Sequence, residues 1–174
     1  SKSAPVWSPD SKNLAFVISM SGNPDIYNYN LKTKKISRLT SHYGIDTEPA
    51  WSPDGKRLLF TSNRSGSPQI FEIKISNKRI KRVTLEGSYN ARSRFFPDGK
   101  NIVFVHGNNG FFHIATRNLK DRFINIITKT TLDESPTISP NGHIIIYSTK
   151  KENQGYLAGI SIDKKSKFQL PVKR

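Results

Sequence analysis

Hydrophobic residues in this chain fall in short runs, and residues typical of turns separate the runs. The pattern is clearest between positions 49 and 84, where four runs occupy 49–52, 57–62, 69–75 and 80–84. Pro53-Asp54-Gly55 lies between the first two runs and has the composition of a tight turn. Hydrophobic and polar residues alternate along 69–75, which predicts a strand with one buried face. Short runs at this spacing predict an all-β fold.

The same pattern occurs four times. The segment PAWSPDGK at 49–56 has close variants at 5–11, 93–100 and 136–142, and the steps from Trp7 to Trp51, Phe95 and Ile138 are 44, 44 and 43 residues. Repeats of this length are typical of propellers and solenoids. We therefore predict four blades at 1–44, 45–88, 89–131 and 132–174, which together form one partial β-propeller domain.

The remaining runs support a propeller. The second runs of the other repeats, at 14–18, 102–105 and 144–147, are almost continuously apolar, which predicts strands covered on both faces. The fourth runs lie at 36–40, 124–128 and 168–171. A four-stranded sheet that is apolar on both sides needs a similar sheet on each side, as in a propeller blade. We expect four four-stranded blades that belong to a larger ring, and no helix.

Composition excludes several kinds of chemistry. The chain has no cysteine, which excludes disulfides and thiolate metal sites, and it has no apolar run long enough for a membrane-spanning helix. The net charge of +15 is spread evenly, since each repeat carries between +3 and +5. The histidines lack metal-site spacing, and the repeated Pro-Asp-Gly turn lacks the clustered ligands of a calcium loop. No catalytic or phosphate-binding motif is present, so we expect no enzyme activity, cofactor or metal.

Several segments together resemble the TolB-type propeller repeat of the bacterial Tol-Pal envelope system. They are the turn 51–55, the strands 58–71 and 80–84, and the connectors 46–51, 86–90 and 132–136. The resemblance covers essentially the whole chain. It implies the C-terminal propeller portion of a periplasmic scaffold with a six-bladed ring. By that pattern the chain lacks an N-terminal α/β domain, about two blades and the strand that closes the ring.

The resemblance also implies partners. The expected partner is a Pal-like peptidoglycan-associated lipoprotein, together with other Tol envelope proteins, in support of outer-membrane integrity and cell division. Neither a small-molecule substrate nor nucleic acid is expected. In a propeller, the connectors 41–48, 85–94 and 129–135 would lie at the mouth of the central channel, and they carry both signs of charge. By resemblance, the partner-binding residues there are Ala4, Asp46, Thr47, Glu48, Pro49, Ala91, Arg92, Asp133 and Glu134.

Two other functions remain open at this stage. The chain could be the gating propeller of a prolyl-oligopeptidase-like hydrolase, although the envelope-type connectors favour the scaffold. It could instead bind nucleic acid or an anionic surface through the hairpins between third and fourth strands, which carry eleven basic residues. A lysine-rich composition that solvates an outer edge explains the same residues. The eleven are Lys32, Lys34, Lys35, Lys78, Arg79, Lys81, Lys120, Arg122, Lys164, Lys165 and Lys167.

Overall fold

The computed structural model describes residues 2–20, 22–152 and 154–170, and these residues form two compact units that divide between Leu85 and Glu86. The first unit contains two four-stranded antiparallel sheets. Sheet 1 comprises β1 (Lys2–Trp7), β2 (Asn13–Met20), β3 (Asn23–Asn30) and β4 (Ile36–Arg38). Sheet 2 comprises β5 (Asp46–Trp51), β6 (Arg57–Ser62), β7 (Gln69–Lys74) and β8 (Ile80–Arg82).

The second unit repeats this plan. Sheet 3 comprises β9 (Tyr89–Phe95), β10 (Asn101–Asn108), β11 (Phe111–Asn118) and β12 (Asn125–Ile126). Sheet 4 comprises β13 (Glu134–Ile138), β14 (Ile144–Lys151), β15 (Gln154–Ser161) and β16 (Lys167–Gln169). In every sheet each strand pairs with the next one along the chain. The predicted all-β class is confirmed. Each predicted blade boundary falls between two sheets, and residue 171 of the last predicted run lies outside the described residues.

No helix occurs among the described residues, and so none of them belongs to a helix that could cross a membrane. The repeated turn between the first and second strand of each sheet determines where the first strand ends and the second begins. In sheet 2 the Ser52 hydroxyl donates to Asp54 and accepts from the Arg57 amide at 3.0 Å. The Asp54 carboxylate accepts from the Lys56 amide at 3.0 Å, and Gly55 has φ 66°. The motif is thus a hydrogen-bonded turn, as its residue types predict.

Each unit has its own hydrophobic core. In the first unit, buried residues of both sheets pack together. They are Ala15, Ile26, Leu39, Leu58, Phe60, Phe71 and Ile73. In the second unit the corresponding cluster is Phe96, Val103, Val105, Ile114, Ile127, Ile145, Tyr147, Ala158 and Ile160. Trp51 packs at the edge of the first core and donates its indole N–H to the Val6 carbonyl at 3.2 Å, which ties sheet 2 to sheet 1.

The prediction that β7 buries only one face is wrong. Five of its six residues are buried, including Gln69 and Glu72. Buried polar groups need partners, and both have them. The Thr84 hydroxyl donates to the Gln69 amide oxygen at 2.7 Å, whereas Arg57 and Lys81 each approach the Glu72 carboxylate to 3.1 Å. The polar residues of β7 are therefore buried as well, because each has a hydrogen-bond or ion-pair partner.

Of the three second strands expected to be covered on both faces, only β10 fits, and β6 in sheet 2 is covered in the same way. After their first residue, β6 is buried throughout and β10 is buried over the next four positions. In β2 and β14, by contrast, buried and half-buried residues alternate. Ala15 and Val17 are buried in β2, for example, while Phe16 between them is only half-buried. One face of β2 and one face of β14 therefore keep partial solvent exposure.

Candidate functional site

The first strand of every sheet contains a bulge near its beginning. The pairing register of β5 with β6 shifts between Thr47 and Ala50, and equivalent shifts occur in β1, β9 and β13. One residue in each bulge has a positive φ, and the four lie at the same position of the repeat. They are Ala4, Glu48, Arg92 and Ser135, with φ between 51° and 56°. We call these residues and their flanking strand residues the bulge segments.

Bulges bend a strand, re-aim its side chains and often occur near functional sites. Here they lie where each connector enters its sheet, which is where the sequence placed the partner-binding residues. A positive φ in a residue other than glycine is uncommon and is held by its surroundings. Polar contacts around Glu48 and Arg92 help to hold these two residues in this conformation.

In the first unit, Asp46 and Arg64 organise the bulge segment. Asp46 is fully buried, and its carboxylate lies 2.6 Å from Arg64 Nη2. The Arg64 guanidinium in turn stacks 5.3 Å from the Phe60 ring centre and 5.1 Å from that of Phe71. Two residues later the half-buried Glu48 accepts a hydrogen bond from the Thr61 hydroxyl at 2.8 Å. The buried ion pair thus fixes the connector from which Glu48 projects.

In the second unit, an ion pair joins two bulge segments. Arg92 Nη1 lies 2.6 Å from Glu134 Oε2 and 3.2 Å from the Ser135 hydroxyl. Both charged side chains remain accessible, since that of Arg92 is 35% exposed and that of Glu134 is 58% exposed. Exposed charges of this kind can be rearranged by a partner at little cost.

Asp133, next to Glu134, has a different environment. It is fully buried, and the hydroxyls of Thr128 and Thr130 donate to its carboxylate, the latter at 2.8 Å. Its second carboxylate oxygen has no hydrogen-bond partner among the described residues, as is also true of Asp46. Both aspartates therefore hold the connectors in place and offer no side-chain surface themselves.

The nine predicted residues thus divide into two sets. Accessible or half-buried side chains belong to Ala4, Thr47, Glu48, Arg92 and Glu134. Buried side chains belong to Asp46, Pro49, Ala91 and Asp133. The first set can contact a partner directly. The second set can only position the first. These four residues were predicted to bind the partner, but their burial leaves them a supporting role.

Sequence reasoning missed a groove beside Glu134. The groove has a volume of about 250 Å³ and is lined by Phe112, Leu132, Glu134, Ser148, Thr149, Lys150 and Gly155. Leu132 is 47% exposed and pairs through its backbone with Phe112 at the start of β11. The available signal in the sequence was a leucine within a polar connector, directly before Asp133. Only the folded chain brings Phe112 beside this leucine.

A histidine pair lies in sheet 3 near the start of β9. His106 and His113 face each other across β10 and β11, and the ring nitrogen Nδ1 of His106 lies 2.9 Å from the side-chain oxygen of Asn90. The Asn90 amide donates to the Glu86 carbonyl at 2.7 Å, so His106 braces the connector. Burial, and then the charge of His113, hold the pKa of His106 below its ordinary value.

Comparison with known proteins identifies the family. The model of the TolB beta propeller domain matches residues 1–174. The Tol-Pal system protein TolB of Ruthia magnifica subsp. Calyptogena magnifica is 55% identical over 98% of this chain, and that of Hydrogenovibrio crunogenus is 53% identical over 32% of it. The chain spans 40% and 13%, respectively, of the lengths of these relatives.

Solved structures agree. The crystal structure of TolB from Acinetobacter baumannii matches with a TM-score of 0.90 and 44% identity, covering 98% of this chain and 43% of that one. A puromycin hydrolase matches 97% of this chain and 28% of its own with a TM-score of 0.81, but at 11% identity this likeness shows the fold alone. The predicted propeller fold and the resemblance to the TolB type are confirmed: the chain belongs to the TolB β-propeller domain family.

Proposed function

We propose that this chain is the protein-binding propeller portion of a non-enzymatic, periplasmic scaffold in the Tol-Pal envelope system. Its bulge segments bind a Pal-like peptidoglycan-associated lipoprotein and thereby support outer-membrane integrity and cell division. Two findings support the assignment to the Tol-Pal system. The relatives are named as Tol-Pal system proteins, and the family match covers residues 1–174. The partner and the surface rest on the geometry of the bulge segments.

The observation that carries the proposal is the accessible pair of Arg92 and Glu134 beside an apolar groove. Protein interfaces combine an apolar centre with a polar rim. Leu132 and Phe112 provide the apolar part, and the ion pair provides a rim with both signs of charge. A rim of this kind selects a partner by complementary charge and sets the rate of encounter.

A binding role also suits the buried aspartates. A catalytic carboxylate must reach its substrate. Asp46 pairs with Arg64, and Asp133 accepts from two threonine hydroxyls, so both carboxylates are engaged inside their own unit. Their contribution is a rigid connector, which lowers the conformational entropy lost when a partner binds.

The experiment compares two edges of the sheets. Binding of the soluble domain of a Pal-like lipoprotein is measured by calorimetry for the wild-type chain and for the double variant Glu48→Lys, Arg92→Glu. We expect the affinity to fall at least about tenfold, because one charge is reversed in a bulge segment of each unit.

The control neutralises basic residues in the hairpins between third and fourth strands. Lys34, Lys35 and Lys165 are exposed there, and replacing all three with glutamine should change the affinity less than about twofold. Lys78 is left intact because its ammonium group donates to the Arg38 carbonyl at 2.9 Å. Equal losses in the two variants would show that the bulge segments are not the binding surface.

A further inference from the structure

We propose that a basic groove on sheet 2 binds a compact ligand that carries two or more phosphate groups. The groove has a volume of about 370 Å³ and is lined by Arg57, Glu72, Lys74, Arg79 and Lys81. It lies within the first unit and includes none of the residues of the bulge segments. A volume of this size is within the range of small-ligand sites.

The strand pairing brings these residues to one face of the sheet. Arg57 on β6 is opposite Lys74 on β7, and Glu72 on β7 is opposite Lys81 on β8. The Lys74 amide donates to the carbonyl of Arg79, so Arg79 lies beside Lys74. Since every second residue of a strand points to the same face, Glu72 and Lys74 share a face with their cross-strand partners.

The buried Glu72 carboxylate organises the groove. Its side chain is 7% exposed, and its oxygens lie 3.1 Å from Arg57 Nη1 and 3.1 Å from Lys81 Nζ. The carboxylate therefore holds two of the four cations in place. Four cationic side chains and one carboxylate give the groove a net charge of +3.

Lys74 and Arg79 supply two of the three positive charges that Glu72 leaves unneutralised. Both side chains are exposed, and within the described part of the chain neither one pairs with a carboxylate. An arginine fork and lysine ammonium groups are the side chains that bind phosphate oxygens. A ligand with several phosphates matches a net charge of +3 better than a single monoanion does.

The fold itself does not require charge at these positions. In sheet 1 the residues that correspond to Arg57, Glu72 and Lys74 are Asn13, Asn28 and Asn30. The amides of Asn28 and Asn30 donate to the Asn13 side chain at 3.2 Å and 3.1 Å. A neutral hydrogen-bonded ladder thus fulfils the structural role there, and the charges of sheet 2 are additional to it.

Three other basic residues near the outer strands have local partners. Lys78 donates to the Arg38 carbonyl at 2.9 Å, and Lys164 donates to the Ile126 carbonyl at 2.9 Å. Lys165 lies 3.7 Å from the Asp163 carboxylate. These contacts connect neighbouring sheets or neutralise charge, so these three lysines are less available to a ligand than Lys74 and Arg79.

The test uses tripolyphosphate as the soluble probe and phosphatidylcholine vesicles containing phosphatidylinositol 4,5-bisphosphate as the lipid-borne probe. Binding of each is measured for the wild-type chain, for Lys74→Gln with Arg79→Gln, and for the control Lys32→Gln with Lys35→Gln. The control removes the same charge from exposed positions in sheet 1. We expect the groove variant to lose about tenfold in affinity and the control to lose less than about twofold.

Groove-dependent binding of either probe supports the proposal, and the probe that binds identifies the source of the phosphate. The proposal is overturned if neither probe binds, or if both variants weaken binding equally, because the attraction would then reflect net charge alone. It is likewise overturned if a single-stranded oligonucleotide binds more tightly than either probe and is insensitive to the groove variant.

Discussion

Arg92 Nη1 lies 2.6 Å from Glu134 Oε2, and the same nitrogen lies 3.2 Å from the hydroxyl of Ser135. Arg92 and Ser135 are the positive-φ residues of the bulges in sheets 3 and 4. The side chain of one bulge residue thus contacts two side chains of the next bulge segment. Such a link gives the accessible charges a defined geometry, which a partner can recognise without ordering a loose loop.

The buried ion pair of the first unit should be important for stability. Asp46→Asn leaves the Arg64 guanidinium, which is only 14% exposed, without its carboxylate. Because an unpaired buried charge is strongly unfavourable, we expect the free energy of unfolding to fall by about 3 kcal/mol in urea denaturation. Glu48→Gln, two residues away and half-buried, should change it by less than about 1 kcal/mol. Similar losses in the two variants would mean that Asp46 has no special role.

One turn of the repeat carries an unfavourable residue. Ser11 has φ 57° where the other three repeats have glycine, as at Gly55 with φ 66°. Because a side chain strains this conformation, Ser11→Gly should raise the free energy of unfolding by about 0.5 kcal/mol despite the added freedom of the unfolded chain. The reciprocal change Gly55→Ser should lower it by about 1 kcal/mol. Destabilisation by Ser11→Gly would contradict this account of the turn.

Two glycines of β15 offer a matched test of packing. A Cβ atom at Gly159 would lie 2.3 Å from the Phe168 ring, whereas one at Gly155 would have no neighbour within 4 Å. Gly159→Ala should therefore lower the free energy of unfolding by about 2 kcal/mol, since the ring of Phe168 must move. Gly155→Ala should change it by less than about 0.5 kcal/mol. Thermal melts followed by circular dichroism would measure both.

The stability of the chain should depend on pH through His106. Burial lowers the pKa of this histidine in the folded state, and it faces the titratable groups of His113 and Glu86. The unfolded chain therefore binds more protons than the folded chain as the pH falls below about 6.5, and stability decreases with acidification. Urea denaturation between pH 5 and 8 should show this slope.

Substitution separates His106 from the other histidines. His106→Gln should flatten the pH slope, while His143→Gln, at an exposed turn position, should leave it unchanged. A slope that persists in His106→Gln would assign the pH dependence to other groups.

The sequence predicts the strands best where apolar runs are continuous. The run 57–62 coincides with β6, but the run 80–84 extends two residues beyond β8. The difference arises because the amides of Val83 and Thr84 both donate to the Ile70 carbonyl, which ends regular pairing. The Thr84 hydroxyl also accepts from the Ile70 amide at 2.9 Å, a contact that a run of hydrophobic residues does not encode.

The candidate site was predictable only in part. The repeat located the segments that enter the sheets, but part of each predicted connector is strand, since 46–48 belong to β5, 89–94 to β9 and 134–135 to β13. The sequence contained no signal for the bulges, because Ala4, Glu48, Arg92 and Ser135 have nothing in common as residue types. The burial of Asp46 depends on Arg64, which lies eighteen positions later and reaches it only across the sheet. Contacts that are distant in sequence therefore decide which charged residues remain accessible.

A partner that recognises the charges of Arg92 and Glu134 should distinguish the wild-type chain from one in which the two charges are exchanged. Arg92→Glu, Glu134→Arg and the swap that combines them are compared with the wild type for melting temperature and for affinity toward the soluble domain of a Pal-like lipoprotein. The swap restores the ion pair, so its melting temperature should return to the wild-type value, but its affinity should remain at least about tenfold weaker. Wild-type affinity in the swap would show that the pair is structural only and that no partner recognises its charges.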